Sequence, residues 1–167
     1  MHDELTEVDI RKMKEEIAYR TQVLRPKLIE DVQTARGFGD LSENFEYKCA
    51  KRDKNRNDSR IRYLEGMIRT ARVISADSGA ETAGLFDRLE VYNEKLGKTQ
   101  TIRVVTTLRQ DALKGLISKE SPVGKAILGH RVGDRVLVEV GPELKFYMEL
   151  RSIEKSGDDD TLDISAY

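Results

Sequence analysis

The chain has 167 residues, 35% of them charged, and a net charge of -1. That length suits one domain or two small ones, and a charge density above the roughly 25% of an average globular protein favours long solvated helices. A near-neutral balance excludes bulk attraction to nucleic acid, Cys49 as the single cysteine excludes an internal disulfide, and no run approaches the ~18 apolar residues of a membrane span.

The opening residues, "MHDELTEVDI", are acidic and lack an apolar h-region, so no signal peptide is expected and the setting is read as cytoplasmic. From Thr6 the pattern is helical. Thr6 followed by Asp9 is a start signal that puts a carboxylate at the positive end of the helix dipole. Apolar residues then recur at Ile10, Met13, Ile17, Leu24, Leu28, Val32 and Ala35, a narrow stripe of the kind a two-helix seam uses. Pro26 predicts a kink within this helix, because the stripe resumes in phase beyond it.

Gly37 and Gly39 predict the end of the first helix. A second is expected from an Asp40 cap to about Ile74, with Ile61, Leu64, Ile68 and Ala71 as its stripe. Residues 1–75 therefore read as an antiparallel helical hairpin with its tip at 37–47. Residues 51–60, "KRDKNRNDSR", hold no apolar side chain, which predicts a thin core near the tip.

Residues 76–84 are small and polar and read as a linker. Beyond them β-branched and aromatic residues partly alternate in "LFDRLEVYN", "KTQTIRVVTT", "DRVLVEVG" and "LKFYMELRSIE", predicting strands. Between them "SPVGKAILG" predicts a short helix, with Ser121 as cap, Pro122 at the first position and Gly129 as the stop. Residues 85–155 are thus a small α+β domain, and 156–167 an acidic tail expected to be mobile.

The chemistry concentrates at the tip, "GFGDLSENFEY". His2 and His130 lack ligand spacing, "GFG" does not follow a strand as a dinucleotide loop would, and Cys49 reads as a packing residue. Asp40 and Glu43 have the spacing of a capping box, and equally that of two hard oxygen ligands for Mg²⁺. Two carboxylates are too few for a dedicated cage, so such an ion would need ligands from a partner. Directly behind the tip, Lys48, Lys51, Arg52, Lys54, Arg56, Arg60 and Arg62 face only Asp53 and Asp58, seven cations against two carboxylates, net +5. That run is either solvation or a rail for a phosphate chain.

"RPKLIEDVQTARGFGDLSENFEYKCAK", together with "ISKESPVGKAILGHRVGD" in the second half, resembles the bacterial Gre transcript cleavage factors over about residues 5–155. The resemblance implies a coiled-coil hairpin that enters the secondary channel of RNA polymerase, followed by an FKBP-like domain that docks at the channel rim. It implies a monomeric accessory factor with no membrane contact, which activates the polymerase's own cleavage of the nascent RNA 3′ end in backtracked complexes. By position, Asp40 and Glu43 would share the second Mg²⁺ with the polymerase, with Ser42 and Asn44 as supporting polar groups. Arg36 and Lys51, joined by Arg52 of the basic run, would lie near RNA, and Ser118, Glu120, Ser121 and Pro122 would dock. Phe45 stands where the family pattern has a small residue, which would alter tip packing or contact with RNA; the alternative, favoured here, is a staple against Leu41 or Phe38. Non-cleaving relatives lose or rearrange the tip acids, whereas this chain keeps both. A prolyl isomerase pocket typically includes a tryptophan, and the chain has none.

Overall fold

The computed structural model describes residues 3–39 and 43–166. They divide into two compact units, one comprising Ile10–Ala71 and the other Asp3–Asp9 with Arg72–Ala166.

The first unit is the helical hairpin. α1 (Glu7–Tyr19) passes through a π-helical turn (Arg20–Leu24) into α2 (Arg25–Arg36), and α3 (Phe45–Thr70) forms the second leg. The Arg25 amide bonds the Arg20 carbonyl, five residues back, immediately before Pro26. Proline has no amide hydrogen and its ring crowds the carbonyl four residues earlier, so one widened turn relieves the conflict without breaking the helix. The expected kink is therefore a π bulge. Every member of the apolar stripe is buried or half-buried, with Met13, Val32, Ala35 and Leu64 buried.

Where the sequence suggested a thinly cored, solvated half, the seam closes on polar groups. Asn57 and Arg60 are each only 3% exposed. Arg60 forks onto Glu16 at 3.0 and 3.2 Å, Arg20 reaches Glu16 at 3.0 Å and the Asn57 side-chain oxygen at 2.9 Å, and the Asn57 side-chain nitrogen donates to the Arg20 backbone carbonyl. Buried polar groups are tolerable when each finds a partner, and here the partners come from both legs. α3 ends at Thr70, earlier than the Ile74 expected, because Arg72–Val73 is β2, paired in parallel with β1 (Glu4–Leu5).

The second unit carries a five-stranded sheet. Its members are β3 (Arg88–Asn93), β4 (Lys98–Val105), β5 (Leu116–Ser118), β6 (Arg135–Glu139) and β7 (Lys145–Glu154), in the order β5-β4-β3-β7-β6. All pairs are antiparallel except β4 with β5. Alternation puts Leu89 and Val91 of β3 and Val136 and Val138 of β6 into a core with Phe86, Ile102, Val104, Ile127, Met148 and Leu150. The short helix α4 (Pro122–Ile127) is capped by the Ser121 side chain, which accepts from the Gly124 amide at 3.0 Å, and Gly129 beyond it has φ +84°. The four expected strands and this helix are present. β5, too short to show an alternation, was not legible.

Two expectations need correction. The segment read as a linker is stitched to the sheet unit at its end. Ala83 is buried, its amide bonds the His130 carbonyl at 2.8 Å, and its own carbonyl accepts from Gly129 at 2.9 Å. The acidic tail is likewise held. Asp158 pairs with Arg109, Asp159 meets Arg103 at 3.4 Å, and the Ser165 amide reaches the Leu108 carbonyl at 2.7 Å. In both cases small or acidic composition suggested freedom, while partners distant in sequence supply the anchors.

Candidate functional site: the hairpin tip

α2 ends at Arg36 with Gly37 as cap, and Gly39 turns the chain at φ +126°, a conformation that suits glycine. Asp40, Leu41 and Ser42 lie outside the described residues. The cap of α3 is Asn44, four residues later than the Asp40 cap expected. Its side-chain oxygen accepts from the Tyr47 amide at 3.0 Å, and its side-chain nitrogen donates to the Ala35 carbonyl at 2.6 Å. One side chain thus satisfies an orphan donor of α3 and a terminal acceptor of α2, tying the two ends together across the turn. The helix start at Phe45 leaves Glu43 outside α3, exposed, and just before its positive end.

Behind the tip, Tyr47 gathers two of the candidate RNA-facing cations. The Arg36 guanidinium lies 5.6 Å and the Lys51 ammonium 6.0 Å from its ring centre. The Arg36 hydrogen bond holds the Tyr47 phenol below its ordinary pKa, burial opposes this, and the charge of Lys51 adds to the lowering. Lys51 is one helical turn from Tyr47 and could be read from spacing; Arg36 comes from the other leg and could not. Arg52 is exposed beside Asp53 at 3.7 Å.

The basic run is not uniformly available. Arg60 is spent on Glu16 inside the seam, and Lys54 pairs with Asp58 at 2.9 Å, which also meets Arg25 at 3.2 Å. Lys48, Arg52 and Arg56 are exposed. Phe45 is 76% exposed and Phe38 67% exposed, so these two do not bury each other, while Leu41, the other expected partner, lies outside the described residues. Among the described residues no three histidine, cysteine or carboxylate groups come together to hold a metal.

In the second unit, Ser118 is 6% exposed; its hydroxyl meets that of Thr107 at 2.8 Å and accepts from the Glu120 amide at 3.1 Å. It shapes the loop from within, leaving Glu120 and Pro122 exposed and Ser121 half-buried as the α4 cap. No helix among the described residues is long and apolar enough to cross a membrane.

A two-helix hairpin with carboxylate, aromatic and cationic side chains exposed at its described tip residues, followed by a small mixed-sheet domain, defines a two-part hairpin-bearing module. Residues 4–73 match the family model of the transcription elongation factor N-terminal domain, and residues 80–155 that of the GreA/GreB C-terminal domain. The transcription elongation factor GreA of Mesoplasma florum is 39% identical over 138 residues, covering 81% of this chain and 87% of that one. GreA of Mesomycoplasma hyopneumoniae strain 7448 is 35% identical over 136 residues, covering 81% and 85%. A crystal structure of GreA factor homolog 1 (Gfh1) from Thermus thermophilus aligns over 93% of this chain and 100% of that one, at 24% identity and a TM-score of 0.42. The chain belongs to the GreA/GreB family of transcription elongation factors.

Proposed function

We propose that this chain binds bacterial RNA polymerase, passes its hairpin into the secondary channel, and stimulates Mg²⁺-dependent cleavage of the nascent RNA 3′ end in backtracked complexes. The observation that carries this reading is the capped tip: Asn44 fixes the start of α3 and holds Glu43 exposed ahead of it. The FKBP-like character of the sheet domain, its docking through Glu120, Ser121 and Pro122, and a monomeric cytoplasmic state belong to the same reading.

The donor set fits a shared ion better than a resident one. Glu43 offers hard oxygens, Asp40 stands three residues before it in sequence, and among the described residues no three carboxylate, histidine or cysteine groups come together. When bound jointly with the polymerase, Mg²⁺ would help activate water and stabilise charge on the attacking and leaving oxygens. The chain's own residues do the positioning. Asn44, as the cap of α3, fixes the backbone from which the Glu43 carboxylate projects. Arg36 and Lys51, held over Tyr47, present positive charge to the phosphates of extruded RNA.

The test is cleavage in assembled backtracked complexes with purified factor and Mg²⁺. The intact protein should release short 3′ fragments; Asp40→Ala and Glu43→Ala should abolish release while still competing for polymerase. Unchanged cleavage by both variants would remove the mechanism, and no cleavage by the intact protein would favour a channel-binding regulator instead.

A further inference from the structure

The polar seam of the hairpin meets the first leg at its π turn. The Arg20 carbonyl takes two donors there: the Arg25 amide of its own leg, which closes the turn, and the Asn57 side-chain nitrogen of α3 at 3.2 Å. The Arg20 side chain returns the contact, with Nη1 2.9 Å from the Asn57 side-chain oxygen, while its Nε bonds Glu16, onto which Arg60 also forks. Asn57 is thus bonded to both the backbone and the side chain of one residue on the opposite leg, and it is buried.

Stability alone does not account for such a pair. Apolar side chains fill a buried seam as well or better; a polar pair adds direction, because it is satisfied in only one alignment of the helices. Direction is what this stretch needs. Residues 51–60 of α3 hold no apolar side chain, so they offer no knobs that would set the alignment by packing. The legs also differ in length between two of their cross-ties. Ala35 lies fifteen positions after Arg20, whereas Asn57 lies thirteen after Asn44. A turn closed five residues back holds one residue more than an α turn and takes up part of that excess. Pro26, with no amide to donate, confines the widened turn from the first leg, and Asn57 pins it from the second.

We infer that the Arg20–Asn57 pair is a register lock for the hairpin, and that Asn57 is a positioning residue for the Glu43 carboxylate, acting through the alignment of α2 and α3. This rests on the cleavage reading above and deepens it, since it fixes how far the tip reaches. A slip of one residue moves one leg about 1.5 Å along the other, and a slip of one turn about 5.4 Å. A misplacement of about 1 Å, caused far from the chemistry, is enough to cost on the order of 100-fold in rate.

The experiment compares the full-length chain with Asn57→Leu and with Asn57→Asp, which keeps an oxygen facing Arg20. In backtracked complexes with bacterial RNA polymerase and Mg²⁺, Asn57→Leu should lower the cleavage rate at saturating factor by about 10- to 100-fold. It should leave the half-maximal factor concentration within about twofold, while Asn57→Asp keeps most of the rate. In thermal unfolding Asn57→Leu should be as stable as the intact chain or more so. Register is read from spin labels at Gln33→Cys and Arg56→Cys in a Cys49→Ser background, two exposed positions on opposite legs. The unaltered Asn57 should give one narrow distance, and Asn57→Leu a distance shifted or split by about 1.5 to 5 Å. An unshifted distance overturns the lock. So does a melting temperature that falls in step with cleavage, which would make Asn57 a plain stabilising contact. A shifted distance with full cleavage overturns the positioning role. A shifted distance in a factor whose intact form cleaves nothing upholds the lock and overturns the cleavage reading instead.

Discussion

Arg109 has a side chain with no exposed surface, and the groups around it account for its charge. Its Nε donates to Asp9 at 2.7 Å, Nη1 to the Asp159 carbonyl at 2.8 Å, and Nη2 to Asp158, while the guanidinium lies 4.2 Å from the centre of the Phe86 ring. Asp9 closes a reciprocal start for α1: the Thr6 amide donates to its carboxylate at 3.0 Å and its own amide donates to the Thr6 hydroxyl at 3.3 Å. Thr6 and Asp9 were readable as a helix start, yet Arg109, a hundred residues away, left no local signal. Removing one partner of a buried pair leaves an uncompensated charge, which costs about 3–5 kcal/mol. Arg109→Ala, which strands the buried Asp9, should lower unfolding free energy by that order in urea, Asp9→Ala by less because Asp158 still faces the guanidinium, and the double variant should lose less than their sum. Additive losses would mean that the pair is not coupled.

At the scale of elements, turns and caps decide the tip. Asn44→Ala removes a helix cap, worth about 1 kcal/mol, and with it the link to the Ala35 carbonyl. We expect the first turn of α3 to exchange its amides faster, and cleavage to fall further than polymerase binding does. Equal losses in both would show that Asn44 does not act through Glu43. The helices were legible because their apolar stripes repeat with the helical period, as were four strands from alternation. The cap was not, because Asp40 and Asn44 are equally good capping residues and only the path of the turn chooses between them. The polar seam at Glu16, Arg20, Asn57 and Arg60 was also hidden, since a charged side chain on a helix face carries no mark of whether it is buried. In the sheet unit, a Cβ on Gly124 would lie 2.4 Å from the Ser118 backbone oxygen. Gly124→Ala should therefore shift the loop that holds Glu120 and Ser121 and cost roughly 1–3 kcal/mol. An unchanged melting temperature would show that the loop yields freely.

At the scale of the whole molecule, the family models end at residue 155, and the eleven described residues beyond it are nevertheless part of the sheet unit. Thr161 through its hydroxyl and its amide, and then Arg103, hold the Asp159 carboxyl below the ordinary range, against the opposing effect of burial. A carboxylate whose folded pKa is lowered stabilises the fold above its unfolded value of about 3.9, and that stabilisation is lost as pH falls through the lowered folded value. The tail should accordingly stay docked at neutral pH and release on acidification below about pH 4, read from its amide signals in an NMR titration. Docking that is lost above pH 6 would contradict this. Truncation after Lys155 is the stronger test, because it deletes the Asp158 carboxylate and Asp159 carbonyl together and leaves Arg109 with Asp9 and Thr6. Hydrogen exchange should then accelerate across β3 and β4, which neighbour Phe86 and Arg103, while the interior of α3, whose seam draws on residues of its own unit, keeps its protection. Uniform acceleration in both units would mean that the tail supports the chain as a whole. No change in either would mean that Asp9 alone is sufficient to hold the buried guanidinium.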